Sequence, residues 1–228
     1  MCGIVSYLGK SDSVPILLKG LQRLEYRGYD SAGFALIDGK NLSCIKKSGK
    51  VHELKSKIEK VSIKGSCGIA HTRWATHGPP NDTNAHPHLD QTGRIALVHN
   101  GIIENHGSIK MTLEGRGVKF TSDTDTEVLV QLISELYYNN DKKISFENAV
   151  KAALQEVVGA YGIVAICVDE PDKMVAARMG SPLVLGVGDG EYLLASDASP
   201  IIDYTRNVIY LEDGEFVKIE YSGYEISS

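Results

Sequence analysis

Apolar residues in this chain fall into short runs rich in Ile, Val, Ala and Tyr, bounded by Gly, Asp, Asn or Pro. The pattern predicts strands at Cys2–Leu8, Ala32–Ile37, Cys67–Ala70, Ile95–His99, Gly162–Val168, Met174–Ala177, Leu183–Val187, Tyr192–Ala195, Val208–Leu211 and Phe216–Ile219. Helical periodicity marks Val14–Leu24, His52–Lys60, Asp125–Tyr138 and Phe146–Val158. In the third of these, Val128, Leu129, Leu132, Ile133 and Leu136 share one face, and Asp123 or Thr124 can cap it. Pro15 suits an early helical position. Loops rich in Gly, Pro and Asn are expected at Thr76–Asp90 and Asn100–Gly107. No Pro- or Ser-rich linker divides the chain, so the reading is one α/β domain with two sheets and helices outside them. Periodicity does not give the order of the layers.

Composition narrows the function. The chain has 228 residues, 43% hydrophobic and 23% charged, enough for a sizeable core. The net charge is −5 and there is no basic stripe, so nucleic-acid binding has no electrostatic footprint. No apolar run reaches membrane-spanning length. The start, MCGIVSYLGK, has no basic segment or cleavage site of a secretory signal, which leads to a cytoplasmic expectation. The four cysteines are widely spaced and form no CxxC pair. Cys44, Cys67 and Cys167 read as small buried hydrophobes.

Cys2 is different. Removal of Met1 leaves a residue with both a thiol and a free α-amine. That amine titrates near neutrality, about pH 8, and can accept the proton of its own thiol. An incidental second-position cysteine is the ordinary alternative. Further polar segments weigh against it: Leu24-Glu25-Tyr26-Arg27-Gly28-Tyr29-Asp30-Ser31-Ala32-Gly33, His71-Thr72-Arg73-Trp74-Ala75-Thr76-His77-Gly78, His99-Asn100-Gly101-Ile102-Ile103-Glu104-Asn105, and Ser122-Asp123-Thr124-Asp125-Thr126-Glu127.

An N-terminal Cys-Gly-Ile-Val followed by these segments in this order resembles a class II glutamine amidotransferase domain of the N-terminal-nucleophile hydrolases. The forms Glu-Tyr-Arg-Gly-Tyr-Asp-Ser-Ala-Gly and His-Thr-Arg-Trp-Ala-Thr-His-Gly are similar, more narrowly, to the glutaminase domains of glucosamine-6-phosphate synthases. The likeness runs on through Ala176-Ala177-Arg178-Met179-Gly180-Ser181-Pro182-Leu183 and Ala195-Ser196-Asp197. It implies a four-layer α-β-β-α sandwich with two mainly antiparallel sheets.

Amide hydrolysis by a thiol needs donors where the oxyanion develops. Asn100 offers a side-chain amide and Gly101 a backbone N–H, and the resemblance implies this pair. An Asn-Gly hairpin turn is the structural alternative. Glutamine is zwitterionic, so its α-carboxylate calls for a guanidinium and its α-ammonium for a carboxylate. The resemblance assigns these to Arg73 and Asp125, with Thr76 and His77 near the carboxylate. It gives Arg27 the task of orienting Cys2, where a structural salt bridge is the alternative. It places Trp74 beside a lid over the substrate, where an ordinary core residue is the alternative.

The seven histidines include Ala85-His86-Pro87-His88, but no zinc-type Cys/His spacing accompanies them. His71, His86 and His99 are expected to form a polar network beside the site. The resemblance implies no metal and no cofactor. It implies L-glutamine as substrate and ammonia delivered to fructose 6-phosphate on a C-terminal sugar isomerase domain. The chain stops at Ser228, so the expectation is an amidotransferase domain over residues 1–228 without that partner domain, through which a homodimer would form. Three alternatives stay open: an amidotransferase serving another acceptor, a non-catalytic glutamine-sensing module, and a metal-dependent hydrolase centred on His86 and His88.

Overall fold

Gly3–Leu8 shows how the layers arise. Its side chains alternate, so Ile4 and Leu8 enter one apolar cluster while Val5 and Tyr7 enter another. A strand covered on both faces reads as continuously apolar, and this one is buried throughout. The computed structural model describes residues 2–74, 79–139 and 143–228.

Along the chain come β1 (Gly3–Leu8), α1 (Ser13–Leu24), a 3₁₀ turn (Glu25–Arg27), β2 (Ser31–Asp38), β3 (Asn41–Ser48), α2 (Val51–Ile58), β4 (Cys67–Arg73), β5 (His88–Leu89) and β6 (Ile95–Ile103). Three helices follow: α3 (His106–Gly115), α4 (Asp125–Tyr138) and α5 (Phe146–Gln155). The last third is β7 (Gly159–Cys167), β8 (Lys173–Met179), β9 (Val184–Val187), β10 (Tyr192–Ala195), β11 (Val208–Tyr210), β12 (Phe216–Glu220) and β13 (Gly223–Ser227).

Two antiparallel sheets result, in the orders β11-β9-β10-β1-β4-β2-β3 and β13-β12-β8-β7-β6-β5. Ile4, Ile69, Ala96, Val98, Val164, Ile166, Ala176 and Leu194 form the core between them. Leu17, Leu21 and Leu54 seal α1 and α2 onto the outer face of the first sheet. Leu129, Val130, Ile133, Phe146 and Val150 seal α4 and α5 onto the second. The order is therefore helix, sheet, sheet, helix, as the resemblance implied. Cys67 and Cys167 are fully buried, and burial pushes their thiols to about 12 and about 11. Among the described residues no helix is long and apolar enough to cross a membrane.

Several expectations are corrected. The loop placed at Asn100–Gly107 is strand up to Ile103 and helix from His106. The Asn100-Gly101 pair is no turn: Asn100 pairs with Gly162 and Gly101 with Tyr161 inside the β6–β7 ladder. β3, β5, β13 and α3 went unpredicted. β4 runs on to Arg73, past the expected end at Ala70, and α5 stops at Gln155, short of Val158. The cap of α4 is Thr124, whose hydroxyl accepts from Glu127 N at 3.2 Å.

Register then places the polar residues. Gly3 lies beside Thr72 and Ile4 beside His71, so the start of β1 meets the end of β4. Ala195 lies beside Val5, which brings Ser196 and Asp197 to the same edge.

Candidate active site

Cys2 sits one residue before β1, against the backbone of Trp74. Trp74 N donates to Sγ at 3.2 Å, and the thiol lies 3.5 Å from Trp74 O. Burial pushes the Cys2 thiol above its ordinary value, while the Trp74 N–H and the charge of Arg73 pull the other way. The thiol is therefore mostly protonated at neutral pH.

Arg27 comes from the 3₁₀ turn after α1. Its Nε donates to Cys2 O at 3.2 Å and its Nη1 pairs with Asp197 at 3.1 Å. Tyr26 donates to the same Asp197 oxygen at 2.7 Å. Burial alone would raise Asp197. The Ser199 and Tyr26 hydrogen bonds and the Arg27 charge outweigh it and hold the carboxyl below its usual value.

Arg73 ends β4 and is only 3% exposed. Burial lowers its pKa, and the charges at Cys2, Asp30 and Asp125 oppose that. Its Nη1 donates to Pro79 O at 3.4 Å. Asp125 opens α4, where the helix N-terminus favours a carboxylate. Its Oδ2 accepts from Ile103 N at 2.8 Å, which ties α4 to the end of β6.

Cys2, Arg73, Trp74, Gly101 and Asp125 line one small cleft together with His86, His99, Thr124 and Thr126. A second, larger opening of about 300 Å³ also reaches Cys2, lined by Arg27, Asn100, Ile102, Ser181 and Pro182 among others. One cleft thus presents a thiol, a cation and an anion. That set matches a zwitterion with a reactive side chain.

Gly101 lines both openings in a left-handed conformation, φ +127°, and a Cβ there would lie 2.1 Å from Ala160 O. Gly101→Ala should lower stability by about 2 kcal/mol or more through strain and displacement of β7. A thermal melt checks this; an unchanged Tm would count against the close β6–β7 approach.

Trp74 is no core residue. It is 45% exposed and stands edge-on to Tyr29, with ring centroids 5.4 Å apart. Thr76 and His77 lie outside the described residues. Cys2, Arg27, Arg73, Trp74, Asn100, Gly101 and Asp125 all come together. Sequence reasoning did not single out Thr126, Ser196 and Asp197 for roles. Ser196 and Asp197 had a signal in the Ala195-Ser196-Asp197 segment already quoted.

Behind the cleft lies a buried histidine network. His71 stacks on His86 at 4.2 Å, and His86 meets His88 edge-on at 4.7 Å. His86 Nε2 and His99 Nδ1 both bond Thr126 Oγ1, at 2.8 and 3.0 Å, and His88 Nε2 bonds Thr124 Oγ1 at 3.0 Å. The Nε2 atoms of His86 and His88 are thus committed to threonines. Among the described residues no cluster of His, Cys, Asp and Glu is arranged to hold a metal ion.

Burial pushes His71 down to about 3, and His86 and His88 well below 6.5. These rings are neutral when folded, while the unfolded chain protonates them at about pH 6.5. Below that pH the unfolded state binds more protons. Stability is therefore full above about pH 6.5 and falls as pH drops towards about 3. Each ring costs up to about 1.4 kcal/mol per pH unit. Melting scans should show Tm falling between about pH 6.5 and 4.5; a flat profile would contradict neutral burial.

The family model for the glutamine amidotransferase domain matches residues 56–219. The chain belongs to the glutamine amidotransferase domain family. A glutamine–fructose-6-phosphate aminotransferase (isomerizing) of Chlorobaculum tepidum is 51% identical over 231 residues, covering 100% of this chain and 37% of that protein. The same-named protein of Bacteroides thetaiotaomicron is 54% identical over 220 residues, covering 96% of this chain and 36% of that protein. The chain thus spans little more than a third of the length of these relatives. Among solved structures, the glutamine phosphoribosylpyrophosphate amidotransferase of B. subtilis superposes with a TM-score of 0.85 at 28% identity, over 99% of this chain and 49% of that one. This amidotransferase domain therefore has the sandwich fold of the N-terminal-nucleophile amidotransferases.

Proposed function

We propose that this domain hydrolyses the side-chain amide of L-glutamine through a γ-glutamyl thioester on Cys2. The thiol, the buried Arg73 and the buried Asp125 in one cleft carry the reading. Arg73 takes the α-carboxylate and Asp125 the α-ammonium. Trp74 stands beside a lid that excludes water.

A thiol raised by burial needs a base at the moment of attack. Among the described residues, Sγ has hydrogen-bond partners only on the Trp74 backbone. The α-amine of Cys2, freed when Met1 is removed, is the base. It takes the thiol proton as Sγ bonds to the amide carbon. The oxyanion is met by Asn100 Nδ2 and Gly101 N, while Arg27 holds the Cys2 backbone. The C–N bond breaks as the α-ammonium returns its proton to the leaving nitrogen, releasing ammonia. Water then adds to the thioester, giving glutamate and the free thiol.

We assign the ammonia to fructose 6-phosphate, held on a further sugar isomerase domain, for glucosamine 6-phosphate synthesis in the cytoplasm. The identities of 51% and 54% with proteins named for that reaction support this acceptor. That domain is also where a homodimer would form. The Met1-free chain alone should release glutamate and ammonia in equal amounts and leave fructose 6-phosphate unaminated. Glutamine binding without glutamate release would overturn the catalytic reading and favour a sensor.

A further inference from the structure

We infer that His71 and Ser196 are positioning residues that lock the side-chain amide of Asn100 with its N–H edge towards Cys2. The inference rests on the oxyanion role proposed for Asn100.

Two carbonyls decide which way the amide faces. His99 O can only accept, so His71 Nε2, 3.1 Å away, carries the proton of the neutral ring. The same N–H lies 2.9 Å from the Asn100 side chain, whose near atom must therefore be Oδ1. His71 Nδ1 has no partner among the described residues, which suits a bare lone pair better than a buried N–H. At the other end of the amide, Cys2 O can only accept, so the atom 3.1 Å from it must be Nδ2.

Ser196 holds the other amide hydrogen, so the one now on Cys2 O is the one that turns to the oxyanion. Ile4 N can only donate, and it donates to Ser196 Oγ at 2.7 Å. The hydroxyl's second lone pair takes Asn100 Nδ2 at 2.9 Å. Ser196 N returns a bond to Ile4 O at 3.0 Å. The hydroxyl, 2% exposed as a residue, thus joins the strand that carries Cys2 to β6 in the opposite sheet. Neither His71 nor Ser196 lines the clefts beside Cys2. They act through Asn100. A freely turning amide would spend part of its time with Oδ1 towards the nucleophile, repelling the oxyanion it should stabilise.

The test uses the Met1-free chain. Ser196→Ala and His71→Leu should lower kcat for glutamine hydrolysis by about 10- to 100-fold. KM should stay within about twofold, because Arg73 and Asp125 are untouched. Alkylation of Cys2 by iodoacetamide should keep its rate, since that reaction builds no oxyanion. His71→Gln, which can return an N–H to Asn100 Oδ1, should recover most of the loss. If Ser196→Ala fails to fold, the His71→Leu and His71→Gln pair still decides.

Unchanged kcat in these variants, with Asn100→Ala losing about 100-fold or more, would overturn the positioning role alone. Equal losses in His71→Leu and His71→Gln with slowed alkylation would show a merely structural role and also overturn it. If Asn100→Ala itself keeps full kcat, the oxyanion reading fails instead.

Discussion

Cys2→Ala is expected to abolish glutamate release, by about 10⁴-fold or more, while glutamine still binds. The nucleophile is lost, but Arg73 and Asp125 still face the same cleft. Cys2→Ser should be nearly as inactive, because burial has already raised the thiol and a hydroxyl is far harder to deprotonate. Retention of Met1 should mimic these variants by a separate route. It places the Cys2 nitrogen in a peptide bond and removes the base without touching the thiol. Calorimetry with glutamine and an assay for glutamate separate binding from chemistry. Activity that survives Cys2→Ala and disappears with a chelator would move the chemistry to His86 and His88.

Arg73 and Asp125 should produce the second large effect, on KM. Arg73→Lys keeps a cation but loses the planar fork, and Asp125→Asn keeps an acceptor for Ile103 N but loses the charge. Asp125→Asn should raise KM for glutamine by about 100- to 1000-fold, the scale of one lost buried charge pair, and Arg73→Lys by about 10- to 100-fold, because the charge stays while the bidentate fork is lost. The pairing can be checked with truncated substrates. An analogue without the α-carboxylate should be nearly indifferent to Arg73→Lys, and one without the α-amine to Asp125→Asn. If both variants handle every analogue like the parent chain, the zwitterion reading is wrong.

What could be read from the sequence follows from where burial is strong. α4 was legible because Leu129 and Ile133 are buried against the second sheet behind a Thr124 cap. β1 and β10 were legible because both faces of each are covered. β3 is a half-buried edge strand, Asn-Leu-Ser-Cys-Ile-Lys-Lys-Ser, with little alternation to read. α3 buries Leu113 alone and exposes Met111, so its periodicity is faint. β6 was cut short at His99 because Asn-Gly is ordinarily a hairpin signal, and here the β7 ladder overrides it.

The residues gathered beside Cys2 were legible for a different reason. Cys2, Arg73, Asn100 and Asp125 each belong to a segment whose polar residues no core required. The clamp on Asn100 was hidden, because His71, Asn100 and Ser196 lie on three strands or strand ends joined only by the packing of two sheets. The signal available for Ser196 was a resemblance and nothing in its local pattern.

The most direct test of Cys2 as an N-terminal nucleophile facing a glutamine pocket is the intact mass of the purified chain. It should be measured before and after treatment with the glutamine analogue 6-diazo-5-oxo-norleucine. A chain lacking Met1 is expected to gain one adduct, mapped to Cys2 and suppressed by excess glutamine. A processed chain that takes up no adduct, or takes it elsewhere, would contradict it.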